Sequence, residues 1–143
     1  MIKKHTGKIN SIKTGKEYKY KRNETKYQST DKVLYMYEIW EEGKEEQQKF
    51  DFALMVMDNG KDLKVTDCYA HGYKGEGIAA TMILEAKQSF NKRIVSSSNK
   101  KRSVSGESRW EDATILWEKL VERKLAKYDE ENDIFYTVME KDQ

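Results

Sequence analysis

Residues 72–79 read Gly72-Tyr73-Lys74-Gly75-Glu76-Gly77-Ile78-Ala79, three glycines in six positions that run into the apolar series Ile78, Met82, Ile83 and Ala86. Glycine at the start of a helix costs backbone entropy, so its accumulation there marks a need for positive φ or for close approach to the main chain. A phosphate makes such an approach, because unpaired N–H groups and the positive end of the helix dipole converge on one point. A tight strand-to-helix turn makes the same demand with no ligand at all. The flanking segments decide which fold carries the loop.

Upstream, residues 32–41 (KVLYMYEIWE) and 49–57 (KFDFALMVM) are rich in β-branched and aromatic side chains and read as strands. Asn59-Gly60 supplies a hairpin signal, and residues 63–69 (LKVTDCY) return as a third strand of an antiparallel meander. Strict alternation puts Leu63, Val65, Asp67 and Tyr69 on one face of that strand. Downstream, Ile78, Met82, Ala86 and Phe90 recur every four residues, flanked by Ile83, as one face of a helix. Residues 93–97 (RIVSS) read as a short buried strand and 99–106 as a loop. Ser108 and Glu111 match a capping box that opens a second helix, with Trp110, Ala113, Trp117, Leu120 and Val121 as its stripe. Residues 134–139 (IFYTVM) close the chain as a strand after the turn-like 129–133. This order predicts a mixed α/β fold. At 143 residues, the chain reads as a single domain spanning 1–143.

The 27 basic and 25 acidic side chains nearly balance, so a net charge of +2 selects no partner class. Charge is uneven, however. Residues 1–26 carry Lys3, Lys4, Lys8, Lys13, Lys16, Lys19, Lys21, Arg22 and Lys26 against only Glu17 and Glu24. Tyr18, Tyr20 and Tyr27 punctuate this arm, and residues 13–31 show no helical stripe. The arm reads as a solvated hairpin or a lid whose tyrosines pack on the sheet or cover a pocket. The rival reading is a nucleic-acid-binding arm that stacks bases on those rings. Cys68 is the only cysteine, which excludes an intrachain disulfide and a Cys-rich zinc site and points to a reducing, cytoplasmic setting. No metal site, signal peptide or membrane span is expected: no apolar run reaches the roughly 18 residues a span requires.

Two familiar phosphate loops do not fit the glycine segment. A G-x-G-x-x-G fingerprint fails at Ala80, and the preceding strands read as a meander rather than the start of a βαβ unit. The Gly-Lys-Ser/Thr of a nucleotide-triphosphate loop is missing. Lys74-Gly75-Glu76-Gly77-Ile78-Ala79 instead resembles the pyrophosphate-binding signature of the GNAT acetyltransferase superfamily, Arg/Gln-x-x-Gly-x-Gly/Ala. Lys74 stands at the Arg/Gln position, Gly77 at the glycine and Ala79 at the Gly/Ala. The order of elements over residues 32–139 is similar too. Residues 105–129 (SGESRWEDATILWEKLVERKLAKYD) look like the C-terminal half of uncharacterised phage-type members, which implies a viral or mobile-element origin and a host cytoplasm.

The resemblance implies a central, mostly antiparallel sheet, splayed at the cofactor site and flanked by helices. It implies an acyl-coenzyme A-dependent N-acyltransferase that moves an acetyl group from acetyl-coenzyme A to an amine of a protein or small molecule. Cofactor-binding positions follow: Lys74, Gly75, Glu76, Gly77, Ile78 and Ala79 at the pyrophosphate, Tyr69, Ala70 and His71 at a bulge along the pantetheine arm, and Asn99 beyond the next strand. The family's acid, a tyrosine in Ala-x-x-x-Tyr, is replaced here by Ala113-x-x-x-Trp117, and an indole N–H cannot act as a general acid. Trp117 is therefore expected to pack, with Tyr128 or a hydroxyl among Ser96, Ser97 and Ser98 in its place. Asp67 is the candidate base if its carboxylate lies on an apolar face, where its pKa would rise; a solvated or ion-paired Asp67 is the alternative. His71 is a further candidate relay. The family's two helices between the first strands have no counterpart in residues 13–31. Two other functions stay open: a non-catalytic coenzyme A-binding or interaction protein of phage origin directed at a host target, and a nucleic-acid-binding module using the basic arm.

Overall fold

A computed structural model of the protein describes residues 3–26, 32–44, 49–57, 60–69, 77–98 and 111–139. The strands are β1 (Lys3–Asn10), β2 (Glu17–Lys26), β3 (Val33–Trp40), β4 (Phe50–Val56), β5 (Asp62–Tyr69), β6 (Arg93–Val95), β7 (Ala126–Asp129) and β8 (Ile134–Thr137). Helix α1 (Ile78–Phe90) joins β5 to β6, and α2 (Glu111–Glu122) lies between β6 and β7. All these strands share one sheet in the order β1-β2-β3-β4-β5-β6-β8-β7. Neighbours are antiparallel except β5 and β6, which run parallel. The protein is thus mixed α/β, with a mostly antiparallel sheet and, among the described residues, two helices. None of its described helices is long and apolar enough to cross a membrane.

A shared buried face explains the meander. Tyr37 and Ile39 of β3 face Phe52 and Phe50 of β4 in register, and all four are buried. Helix α1 lays Ile78, Met82, Ile83 and Ala86 on this face, and α2 adds Trp117 and Leu120. Trp117, 2% exposed, stacks on Phe135 of β8 at 6.0 Å between ring centroids.

The basic arm belongs to the sheet. Residues 3–26 fold as the β1–β2 hairpin and extend the meander to five strands. Tyr18 and Tyr20 point into the core, while Lys19 and Lys21 between and beyond them pair with Glu42 and Glu38 at 3.0 and 3.4 Å. The Tyr20 ring lies across Gly7, its partner on β1, where a Cβ would meet the phenol oxygen at 2.6 Å. Beside it, the Arg22 guanidinium sits over Tyr35, Tyr37 and Phe90, so the C-terminal end of α1 is fastened to the hairpin. Burial pushes the Tyr37 phenol up to about 12, against the opposing pull of Arg22. Tyr27 lies outside the described residues.

Two details correct the sequence expectation. First, β5, α1 and β6 do form a βαβ unit: β6 pairs with β5 over only three residues, too few for periodicity to reveal its direction. Second, strict alternation fails in β5. Leu54 pairs with Val65 but Ala53 pairs with Asp67, so Thr66 is an extra, bulged residue. A bulge inverts the inside–outside count beyond it. Position 67 therefore falls on the face of Ala53, not on that of Leu63 and Val65. Strand β7 was also unanticipated; its four residues are too short to display a period.

Candidate functional site

Parallel strands with a crossover helix leave a crevice where the strands' carboxyl ends part and the helix begins. Here β5 and β6 pair at Asp62–Arg93, Leu63–Ile94 and Lys64–Val95. Arg93 locks this closed end, donating to the buried Asp62 carboxylate from Nε at 2.9 Å and Nη2 at 2.8 Å. Beyond Lys64 the strands separate. Thr66 is bulged from the pairing with β4, and no described strand pairs with Thr66–Tyr69 on the β6 side.

Three buried serines continue β6 on the other wall. The Ser96 amide donates to Phe135 O, and Ser96 Oγ accepts from the Phe135 amide, both at 2.9 Å. Ser98 Oγ donates to Asn132 O at 2.9 Å. Ser97 Oγ alone reaches back across the opening, donating to Val65 O at 3.0 Å. Side-chain hydroxyls thus satisfy backbone groups that a continued ladder would have paired. Each of the three hydroxyls donates to a backbone carbonyl, Ser96 Oγ to Ser97 O at 3.0 Å.

Helix α1 starts at this same end of the βαβ unit. Gly77 has φ 78° and ψ 15°, a left-handed conformation that favours glycine, and the first helical turn holds no acidic residue. What approaches Gly77 is the chain itself. A Cβ there would stand 2.6 Å from Lys13 Cβ and 2.9 Å from Ser11 Oγ, both in the β1–β2 turn. Thr81 Oγ1 ties the two together, accepting from the Ile12 amide at 2.9 Å and donating to Gly77 O at 2.8 Å. Ser11 Oγ braces the turn by accepting from the amides of Lys13 and Thr14 at 3.1 and 3.2 Å. At its base, Lys16 and Lys44 both bind Glu41, and their hydrogen bonds hold its carboxyl below the usual range. A basic turn is thereby delivered to the positive end of a helix.

The sequence-derived site residues divide accordingly. Gly77, Ile78 and Ala79 open α1, with Ile78 buried in the core, while Asp67 and Tyr69 lie on β5 past the bulge. These two groups stand at the same end of the βαβ unit, because α1 returns antiparallel to β5 before β6 starts. Ala70, His71, Lys74, Gly75, Glu76 and Asn99 lie outside the described residues, as do Ser108 and Trp110. Tyr128, on edge strand β7, packs on Phe135 and donates its hydroxyl to Asp133 Oδ1 at 2.7 Å. Its 43% exposure leaves the ring accessible, and the β7–β8 turn beside it touches Ser98. Ser11, Lys13 and Thr81 had no sequence signal beyond a hydroxyl, Thr81, on an otherwise apolar helix face.

No protein-family model, curated protein or solved structure matches the chain.

Proposed function

We propose that the protein is a GNAT-type acyl-coenzyme A-binding domain that transfers an acetyl group from acetyl-coenzyme A to an amine. The observation that carries this reading is the parting of β5 from β6 below the start of α1. An extended, amide-bearing chain such as pantetheine matches the strand edge at Thr66–Tyr69, where backbone groups on the β6 side have no described strand partner. A pyrophosphate matches the start of α1, where helix amides and a basic turn converge. The strand order, with one parallel pair at the crossover helix and a closing hairpin, supports the same family reading. Gly75 and Lys74 complete the phosphate loop in this proposal, with His71 and Ala70 along the arm and Asn99 opposite.

Attack on the thioester needs a neutral amine and a proton for the departing thiolate. Asp67, past the bulge on β5 and in register with the buried Ala53, is the proposed base, and Tyr128 the proposed acid. Tyr128 serves only by exchanging its Asp133 partner. That engagement, together with the burial of Trp117, favours a second reading: coenzyme A binding without turnover, in an interaction protein. The burial of Tyr18 and Tyr20 weighs against base stacking by the arm.

Calorimetry with acetyl-coenzyme A tests the proposal. Saturable binding is expected, and Gly77→Glu, whose side chain adds charge at the helix start and also collides with the β1–β2 turn, is expected to abolish it, with its melting temperature followed in parallel. No binding at millimolar cofactor by folded protein would refute both readings. Binding without acetyl transfer to any amine would select the second.

A further inference from the structure

The two ends of the sheet differ. Edge strand β7 has four residues, whereas β1 has eight, all in unbroken register with β2 and with neither a bulge nor a proline. Long, regular edges are templates for another strand, and proteins ordinarily shorten, bulge or cover them. The one residue that would loosen β1, Gly7, is held flat under the Tyr20 ring. No described strand lies outside β1.

The charge on this edge selects among partners. Residues 1–16 contain Lys3, Lys4, Lys8, Lys13, Lys16 and His5 but no acidic residue. His5 and Lys8 are exposed, and Lys8 pairs loosely with Glu17 at 3.8 Å. An antiparallel second copy of β1 would set Lys8 against His5 and bring together two lysine-bearing edges with no acidic residue between them, which disfavours self-pairing. An acidic strand meets opposite charges at the same positions. Single-stranded nucleic acid would find the charge, but Tyr18 and Tyr20, which could stack its bases, are in the core.

We propose that the outer edge of β1 is a docking site for an acidic, extended peptide segment of a partner protein, which adds to the sheet as a further strand. Backbone hydrogen bonds over a length of about 27 Å hold the segment, and the lysines set its sign.

The probe is a fluorescent eight-residue peptide alternating Glu with Val or Thr, titrated at about 150 mM salt, where charges beyond about 8 Å are screened. Expected are saturable anisotropy, slowed amide exchange in β1, and affinity reduced about tenfold by Lys8→Glu, whose melting temperature is checked in parallel. N-methylating alternate amides of the peptide leaves the protein untouched and must abolish binding if the contact is a β-ladder. Failure of the acidic peptide to bind, equal binding by its N-methylated form, or equal binding by a Lys-for-Glu version would each overturn the proposal. So would an oligothymidine that slows the same β1 amides and displaces the peptide, or protein dimerisation through β1.

Discussion

Gly77→Ala perturbs the molecule where the β1–β2 turn meets the start of α1. An alanine at φ 78° adopts the left-handed region, at a cost of roughly 1–2 kcal/mol. Its Cβ would also stand 2.6 Å from Lys13 Cβ and 2.9 Å from Ser11 Oγ. Lys13 Cβ is fixed to the turn backbone, so the β1–β2 turn or α1 must move, and overpacking of this kind costs about 1–3 kcal/mol. The sum is about 2–5 kcal/mol, a drop in melting temperature of about 6–15 °C for a chain of this size. Gly43→Ala is the control: its φ is 85° but no atom lies within 4 Å of the added Cβ, so only the conformational cost applies. Urea denaturation of both variants, and of Gly77→Ala in a Lys13→Gly background, isolates the contact. Lys13→Gly removes the nearest atom and should recover at least about 1 kcal/mol of the loss as a coupling energy. If Gly77→Ala costs no more than Gly43→Ala and the coupling is zero, the turn does not rest on the start of α1.

Three further outcomes are expected. Tyr37, raised to about 12, holds its phenolic proton more tightly folded than unfolded, so its contribution is intact below pH of about 10 and is lost as pH rises to about 12. The loss amounts to about 3 kcal/mol, and Tyr20 and Tyr35 add in the same direction; phenolate absorbance against pH, with unfolding measured alongside, checks it. Trp117→Ala should cost about 3–5 kcal/mol through loss of the Phe135 stack and the cavity left in the core. Trp117→Phe should cost less and leave any acetyl transfer intact, and a selective loss of turnover would contradict a packing role. Ser97→Ala leaves Val65 O without its 3.0 Å donor and should cost about 1–3 kcal/mol by denaturation, with acetyl-coenzyme A affinity reduced if the serine sets the opening of the crevice.

Some of this protein was legible in its sequence. The β-branched and aromatic richness of residues 32–41 and 49–57, the four-residue recurrence from Ile78 to Phe90 and the stripe through Trp117 mark β3, β4, α1 and α2. Each pattern is local: a strand or helix with one buried face writes its own period into consecutive residues. The glycines likewise marked a place of close approach at Gly77. Tertiary structure decided the rest. Alternation cannot register one inserted residue, so the bulge at Thr66 moved Asp67 to the other face of β5 without any change in composition. Periodicity carries no strand direction, so the parallel β5–β6 pair and its crevice became visible only in the sheet order. Polar, lysine-rich residues 3–26 joined the sheet because Tyr18 and Tyr20 found a core there and Lys19 and Lys21 found glutamates. The identity of what needs bare backbone at Gly77 depends on residues 64 and 66 positions earlier, Lys13 and Ser11. A sequence records that a surface must be covered; which segment covers it is settled by packing between parts of the chain that have no local relation.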